Sequence, residues 1–341
     1  MRISPSAARS VAVMLLAGPV GLLAGAPSSA YAMTTPQCTI ETLGQPDWAE
    51  GASVTASDNT GDWLAGVAYG SGQSAIAIWH DDSYELSYAA GRLLNVTGVA
   101  HDGVVAGTYW SAELRPRGFV LSEGALTTLA VPARSHKVWV AGISRSGLIS
   151  GWAESGPRDT QRPFFWTLDD PAHPVRMHIP AGKAFAVGTS PDGHTAVNMP
   201  SADVRHGRAF VVGPAGHRTE LHGTAPDYGV QITAIGNGWA AGSEYQQSSH
   251  VTHQLRWDLG TGEAEITATT IAYVYAVNDQ GTLGGEDRDS DLGELYTDHS
   301  IALPSLEDGY GASVRVVTSS GDAAGEAATS TVWAAVRWNC G

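Results

Sequence analysis

Aromatic side chains in the segments between short apolar stretches are the residues best suited to bind a ligand. Those that follow repeated glycines, or begin the stretches after them, are Tyr69, Tyr109, Trp110, Trp139, Trp152, Phe185, Tyr245 and Tyr273. Exposed rings in a cleft stack against sugar rings or cations, although the same rings can pack between sheets instead. We therefore predict a sugar- or cation-binding surface, with Tyr69, Trp110, Trp152 and Tyr245 as ligand contacts.

The charged residues of these segments separate by sign along the chain. The basic ones are Arg115, Arg117, Arg158, Arg162, Arg205, His206 and Arg208. The acidic ones are Glu244, Glu286, Asp287, Asp289, Asp291 and Glu294. Because guanidinium presents a planar fork to a carboxylate, Arg117, Arg162 and Arg208 predict an acidic sugar as ligand. Solvated surface with bridges between neighbouring loops is the alternative.

An enzyme that cleaves a uronate-containing polysaccharide is the alternative to simple binding. In such a lyase, Arg205 or Arg208 would neutralise the uronate, and a base would remove the adjacent proton. The candidate bases are His206, His250, His253 and Tyr245. A glycosidase would need two facing carboxylates, for which Glu244 and Glu286 are the candidates. A protein-interaction scaffold is the third hypothesis.

One acidic segment resembles the start of a calcium-binding loop. Asp287, Asp289 and Asp291 alternate in a way that lets carboxylates converge on a hard cation. Leu292 stands where such loops have glycine, and Asp298 stands where they have glutamate. The segment is therefore a calcium candidate, with a solvated acidic loop as the alternative, and no other cofactor is expected.

A repeated unit must position all these residues. Polar turns carry Gly61, Gly103, Gly147, Gly193, Gly238, Gly281 and Gly321. Each is followed by a short strand that closes on a small residue, at Gly66, Gly107, Gly151, Asn198, Gly242, Gly285 and Gly325. Successive closing positions are 41, 44, 47, 44, 43 and 40 residues apart. That spacing is typical of a four-stranded propeller blade.

Residues 33–341 are therefore predicted to be one all-β domain, a seven-bladed β-propeller. The last unit ends at Gly341 without a fourth strand, and Cys38–Gly44 resembles the fourth strands of the other units. We expect this N-terminal strand to complete the last blade, since an open ring would expose a strand edge. The two cysteines, Cys38 and Cys340, would then form a disulfide that closes that blade.

In propellers, the loops between second and third strands lie on the face where ligands usually bind. Here we call that surface the loop face. It comprises residues 67–74, 108–117, 152–162, 199–208, 243–253, 286–294 and 326–331. The opposite face carries the tight glycine turns, which leave little room for chemistry. We therefore expect the functional site on the loop face.

Short third-strand motifs link these units to a known family. The motifs are Arg117-Gly118-Phe119, Arg162-Pro163-Phe164 and Arg208-Ala209-Phe210, and the turn motif is Val277-Asn278-Asp279-Gln280-Gly281. Residues 52–341 thus resemble the HAF repeats of exported bacterial proteins, although arginine replaces the histidine of the motif. The resemblance implies a propeller-like fold and export, and it implies no activity.

The N-terminus reads as a cleavable signal peptide spanning residues 1–32. Arg2 and Arg9 precede an apolar stretch, and Ala30-Tyr31-Ala32 is a small-x-small cleavage motif. The mature chain would carry 17 basic and 34 acidic residues. Such an acidic surface disfavours nucleic acid and anionic membranes. We expect a secreted monomer that does not insert into membranes and binds an extracellular glycan or cell-surface component.

Overall fold

The structure, a computed structural model, describes residues 38–340 apart from 82, 89–91, 157–159, 202–206, 227, 247–250, 268 and 308–309. Every regular element in those residues is a β-strand. Within the same residues, no helix has the length and apolarity needed to cross a membrane. The predicted signal peptide lies outside the described part of the chain.

The strands follow one order in each unit, after the N-terminal strand β1 (Thr39–Thr42). The first strands are β2 (Gly51–Ser57), β6 (Arg92–Val99), β10 (Ser135–Ile143), β14 (Phe185–Thr189), β18 (Gly229–Ile235), β22 (Ile271–Val277) and β26 (Ala312–Val317). The second strands are β3 (Trp63–Gly70), β7 (Val105–Trp110), β11 (Leu148–Ser155), β15 (Thr195–Met199), β19 (Trp239–Gln246), β23 (Leu283–Asp287) and β27 (Ala323–Ala328). The third strands are β4 (Gln73–His80), β8 (Pro116–Ser122), β12 (Thr160–Thr167), β16 (Arg208–Val212), β20 (Val251–Asp258), β24 (Gly293–Tyr296) and β28 (Trp333–Asn339). The fourth strands are β5 (Ser83–Ser87), β9 (Ala125–Thr128), β13 (Val175–Arg176), β17 (Arg218–Leu221), β21 (Ala264–Ile266) and β25 (Ser300–Ala302).

The prediction of seven separate blades is wrong. Five four-stranded antiparallel sheets stand as separate blades, and the remaining strands form one eight-stranded sheet. The two strand groups of that sheet merge because β2 pairs with β28 in parallel, with Gly51 opposite Trp333. The repeat spacing could not reveal this pairing, since it joins the two ends of the chain.

The N-terminal strand and the disulfide lie within this eight-stranded sheet. β1 pairs antiparallel with β28, with Thr39 opposite Asn339. Cys38 and Cys340 form the predicted disulfide, with their Cα atoms 4.2 Å apart across a separation of 302 residues. The disulfide prediction is therefore confirmed.

A backbone irregularity recurs in each first strand and explains the closing glycines. In β18, the pairing with β19 skips Thr233, so that Ile232 faces Gly242 and Ala234 faces Ala241. Skipping one residue is the mark of a β-bulge. The bulge presses the carbonyl of Gln231 against Gly242, where an added Cβ would lie only 2.0 Å from that oxygen. Glycine is therefore required by close approach of the backbone.

The bulge in β14 also shows which residue occupies the closing position of the fourth unit. In β14 the skipped residue is Val187, and the residue before it, Ala186, pairs with Val197. Val197 is therefore the structural equivalent of Gly242, whereas the spacing of the repeats pointed to Asn198. Asn198 is buried and bonds Ile232 through both its amide nitrogen and oxygen, at 2.8 and 3.0 Å. It thus ties its blade to the next one.

Tryptophans of the third strands anchor the chain segment that precedes each unit. The indole nitrogens of Trp79, Trp166, Trp257 and Trp338 donate to the carbonyls of Gly44, Ala130, His222 and Pro304, at 2.7, 3.0, 2.8 and 2.8 Å. All four rings are buried. These aromatic residues are therefore structural, and the ligand-binding candidates must be sought elsewhere.

Candidate functional site

A cavity of about 530 Å³ runs along the first strands. The skipped residue of each bulge lines it: Thr55, Thr97, Ala141, Val187, Thr233, Tyr275 and Arg315. A bulge aims its extra residue away from the regular ladder, here toward the cavity. Five of these side chains are small, whereas Tyr275 and Arg315 carry a phenol and a charge. The wall is therefore chemically distinctive at β22 and β26.

Arg315 is the centre of a compact group that we call the Arg315 cluster, made of Arg315, Tyr275, Glu286 and Glu326. One guanidinium nitrogen of Arg315 lies 3.2 Å from a carboxylate oxygen of Glu326 and 3.9 Å from one of Glu286. The guanidinium carbon lies 4.0 Å from the centre of the Tyr275 ring, a cation–π contact. Two carboxylates therefore converge on one cation at the wall of the cavity.

Two phenols beside the cluster stay protonated to higher pH than usual. Burial, followed by the Glu286 carboxylate, raises the pKa of Tyr275. Burial, followed by the Glu326 carboxylate, raises the pKa of Tyr69. At neutral pH both are therefore neutral groups that can donate or accept a hydrogen bond. Tyr273, stacked on Tyr275 at 6.3 Å between ring centres, is 63% exposed.

A second aromatic group comprises Trp139, Trp152 and Phe185, of which Trp139 and Phe185 occupy the strand position of Tyr273 on other blades. Trp139 and Trp152 are cross-strand partners whose rings stack at 5.3 Å, and Phe185 lies 6.3 Å from Trp152. All three are half-buried. Trp139 stands two residues before the bulged residue of its strand, as Tyr273 does. Trp152 is the cross-strand partner of Trp139, just as Glu286 is the cross-strand partner of Tyr273. The structure thus brings three of the predicted aromatics together.

A smaller cavity of about 270 Å³ lies on the loop face. Phe185, Met199, Arg208, Tyr245 and Thr252 are among its lining residues. Arg208 and Tyr245, which belong to different repeats and were both predicted as ligand contacts, line this cavity together. Trp110, the remaining aromatic candidate, is half-buried at the end of β7, opposite Arg92 and Pro116.

The predicted basic contacts are held by partners within the protein. Arg117 donates to the carbonyl of His136 at 2.8 Å, and Arg162 donates to the carbonyls of Gln161 and Gly182. Burial lowers the pKa of Arg162, with Arg176 adding to the effect.

Arg208 makes a two-point contact with Glu220, at 2.6 and 2.7 Å. That pairing raises the pKa of Arg208 and lowers the pKa of Glu220. These guanidinium groups are thus engaged by partners within the protein, and the acidic-sugar ligand stays a prediction.

His253 is oriented by a buried carboxylate. Its Nδ1 lies 3.0 Å from Glu244, which is fully buried and also accepts bonds from the backbone N–H and the hydroxyl of Thr224, at 2.7 Å each. Thr224 belongs to the connection between β17 and β18. Glu244 therefore ties that connection to β19, and it does not share a sheet with Glu286, its proposed glycosidase partner.

Replacing Glu244 with alanine is expected to lower the free energy of unfolding by about 3 kcal/mol, because the hydrogen bonds of Thr224 and His253 to a fully buried carboxylate are lost. Urea unfolding monitored by circular dichroism measures the change. Glu263→Ala, which removes an exposed carboxylate in a nearby turn, is the matched control and should change little. Equal stability of the two variants would show that Glu244 contributes nothing to the fold.

Several predicted residues lie outside the described part of the chain: Arg158, Arg205, His206 and His250. Of the calcium candidates, Asp287 is the last residue of β23, and Asp289 and Asp291 lie in the segment that follows it. One oxygen of Asp287 accepts bonds from Asp289 N and Ser290 N at 3.0 and 2.8 Å, and these bonds close the turn. Hydrogen bonds to Ser290 and Thr270 hold the pKa of Asp287 well below its usual range. No group of three side chains able to hold a metal occurs among the described residues, and the calcium prediction stays a prediction.

The main cavity also differs from the expected position of the site. It extends past the ends of the first strands to Asp58, Arg145 and Pro191, which belong to the glycine turns. These turns are compact because their own side chains close them; for example, Asn278 Oδ1 accepts bonds from Gln280 N and Thr282 N, while Gly281 takes a φ of 78°. The lining of the main cavity therefore reaches the turn face, where the sequence predicted little room for a site.

Repeated four-stranded sheets around a common cavity define the chain as a β-propeller protein. No family model and no curated protein matches it. Among solved structures, it is similar to the β-propeller domain of the Trilobed protease from Pyrococcus furiosus, with a TM-score of 0.60 at 10% identity, covering 85% of this chain and 94% of that one. It is also similar to virginiamycin B lyase from Staphylococcus aureus, with a TM-score of 0.53 at 11% identity, covering 89% of this chain and 99% of that one.

A third similar structure is TolB from Acinetobacter baumannii, with a TM-score of 0.50 at 16% identity over 73% of this chain. The chain spans 65% of that protein and 54% of puromycin hydrolase, another structure that it matches. At such low identities the likeness concerns the fold alone. Function must therefore be argued from the side chains of this chain.

Proposed function

We propose that this protein is an exported β-propeller that binds a glycan through aromatic side chains beside its central cavity. The observation that carries the proposal is the pair of aromatic groups, Trp139 with Trp152 and Tyr273 with Tyr275, in which Trp139 and Tyr273 occupy equivalent strand positions. Stacked, partly exposed rings offer flat apolar surfaces that match the C–H faces of sugar rings.

The exposure of these rings favours a ligand over packing alone. Tyr273 is 63% exposed and Tyr69 is 37% exposed, although each ring is large enough to gain from burial. Around them lie the hydrogen-bonding groups of Glu286, Glu326 and Arg315. A few polar groups beside aromatic surface is the usual composition of a sugar-binding site. The disulfide is in keeping with an oxidising, extracellular setting.

Replacing Tyr273 with alanine is expected to weaken glycan binding by about tenfold, since a stacking contact of roughly 1 kcal/mol and its buried area are lost together. Trp152→Ala tests the second aromatic group in the same way. Binding is measured by glycan-array screening, followed by calorimetry with the best saccharide.

Tyr88→Ala is the matched control, because Tyr88 is also an exposed tyrosine but follows the outer strand β5. It should bind as the parent protein does. If the parent protein binds no polysaccharide on the array, the proposed function is wrong.

A polyuronide lyase is a second candidate, supported by the contact between His253 and buried Glu244. A carboxylate on Nδ1 fixes the imidazole ring and leaves Nε2 to accept a proton, as a general base requires. Lyase products carry a new double bond that absorbs ultraviolet light. Incubation with polyuronides, with His253→Ala as comparison, would therefore test this activity directly.

A further inference from the structure

The Arg315 cluster does not balance its own charge. Glu286 and Glu326 contribute two negative charges, and Arg315 contributes one positive charge. All three side chains are less than one-third exposed, at 27%, 18% and 30%. Since charges on a half-buried wall are screened less than surface charges, the excess negative charge attracts a cation strongly.

The other charges of the cavity do not remove this excess. Asp58 and Arg145 line the cavity too, one of each sign, but they lie in the turns beyond β2 and β10. The carboxylate of Asp58 is already engaged within its turn, because it accepts hydrogen bonds from the backbone N–H groups of Thr60 and Gly61 at 3.1 and 2.9 Å. The whole chain carries 34 acidic and 19 basic residues, which adds to the attraction for cations.

A buried hydroxyl beside the cluster has no partner. Ser313 is 2% exposed, and its Oγ makes no hydrogen bond to any residue that the structure describes. Ser313 is the cross-strand partner of Glu326, so the two side chains lie on the same face of the sheet. A buried hydroxyl without a partner is costly, and a polar ligand at the cluster would supply one.

The ligand must therefore combine a positive charge with hydroxyl groups and an apolar face. A bare metal ion fits poorly, because no group of three side chains able to hold a metal occurs among the described residues. An ammonium group fits, because it donates to carboxylates and is attracted by the faces of aromatic rings. We propose that the Arg315 cluster selects a saccharide that carries free amino groups, with the ammonium beside the carboxylates of Glu286 and Glu326 and the sugar ring against Tyr273.

This inference rests on the proposed glycan binding, and saccharide probes separate the two. Calorimetry compares the hexamer of glucosamine, the hexamer of N-acetylglucosamine and cellohexaose. The glucosamine hexamer is expected to bind at least about tenfold more tightly than the other two at low salt, and added salt should reduce the difference. Equal affinity for all three would overturn the inference and leave the proposed function standing. Binding of none of them would count against both, and equal binding of trilysine would show a general cation site, which also overturns the inference.

Charge-neutral variants test the assignment to particular residues. Glu286→Gln and Glu326→Gln are each expected to weaken binding of the glucosamine hexamer about tenfold and to remove most of its advantage over cellohexaose. Glu85→Gln, which removes a charge from an exposed position on β5, is the matched control and should have no effect.

Ser313→Ala covers the case in which a glutamine variant fails to fold. Removing an unpaired hydroxyl should not lower the melting temperature, whereas binding of the glucosamine hexamer should weaken about threefold. Unchanged binding in all three variants would overturn the proposal.

Discussion

Replacing Gly242 with alanine is expected to lower the free energy of unfolding by ~3 kcal/mol or more. The added Cβ would stand 2.0 Å from the carbonyl oxygen of Gln231, far inside contact distance. Relief requires β18 and β19 to separate, but they are paired on both sides of the bulge. Alanine's smaller loss of backbone entropy returns only about 0.4–1 kcal/mol, so the clash wins.

Gly213→Ala is the matched control for this substitution. Its added Cβ would have its nearest neighbour at 3.5 Å, an ordinary contact, and its φ does not require glycine. Urea unfolding of both variants measures the difference. A Gly242→Ala protein as stable as Gly213→Ala would show that the bulge relaxes freely.

Removing the Cys38–Cys340 disulfide is expected to lower the melting temperature by roughly 10 °C, which is the effect of about 5 kcal/mol in a chain of this size. The bond joins residues 302 apart, so its loss gives the unfolded chain a large gain in entropy in the chain-entropy account. The hydrogen bonds of β1 to β28 remain, including Leu43 N to Ala335 O at 2.9 Å. The reduced protein should therefore still fold and keep its ligand-binding surface.

Thermal melts with and without reductant measure this effect. The double variant Cys38→Ala with Cys340→Ala serves as control, since reductant should not change its melting temperature. A parent protein whose melting temperature is the same in both conditions would contradict the prediction. Saccharide binding measured on the reduced protein checks that the cavity is unaffected.

The repeat was predictable because glycine has few physical substitutes. Turn glycines such as Gly281 adopt a positive φ, and closing glycines such as Gly242 accommodate a carbonyl oxygen. Both requirements therefore place glycines at a regular spacing in the sequence. The parallel pairing of Gly51 with Trp333 has no such sequence signature, since one parallel contact needs no particular side chain. That is why the number of separate blades was predicted wrongly.

The site was predictable only in part. Tyr69, Tyr273, Trp152 and Glu286 were singled out by residue type and by their place after a glycine or at a strand start. Arg315 was missed, because an inward position is recognised only once the bulge is known. Glu326 was missed although it follows the closing Gly325 as Glu286 follows Gly285. A signal did exist: each bulged residue stands nine to eleven residues before the closing glycine, or before Val197. Alignment of the units on that glycine places Arg315 at the same position as Thr97 and Tyr275.

The bulge also frees one residue of each first strand from the ladder pairing that most strand positions must satisfy together with core packing. A residue such as Thr233 is skipped by the ladder, whereas its neighbours Ile232 and Ala234 are buried in the core. Substitution at a skipped position therefore changes the lining of the cavity without altering the register or the closing glycine. Evolution, or a protein engineer, can in this way revise the ligand preference of such a scaffold one position at a time while the rest of the domain stays the same.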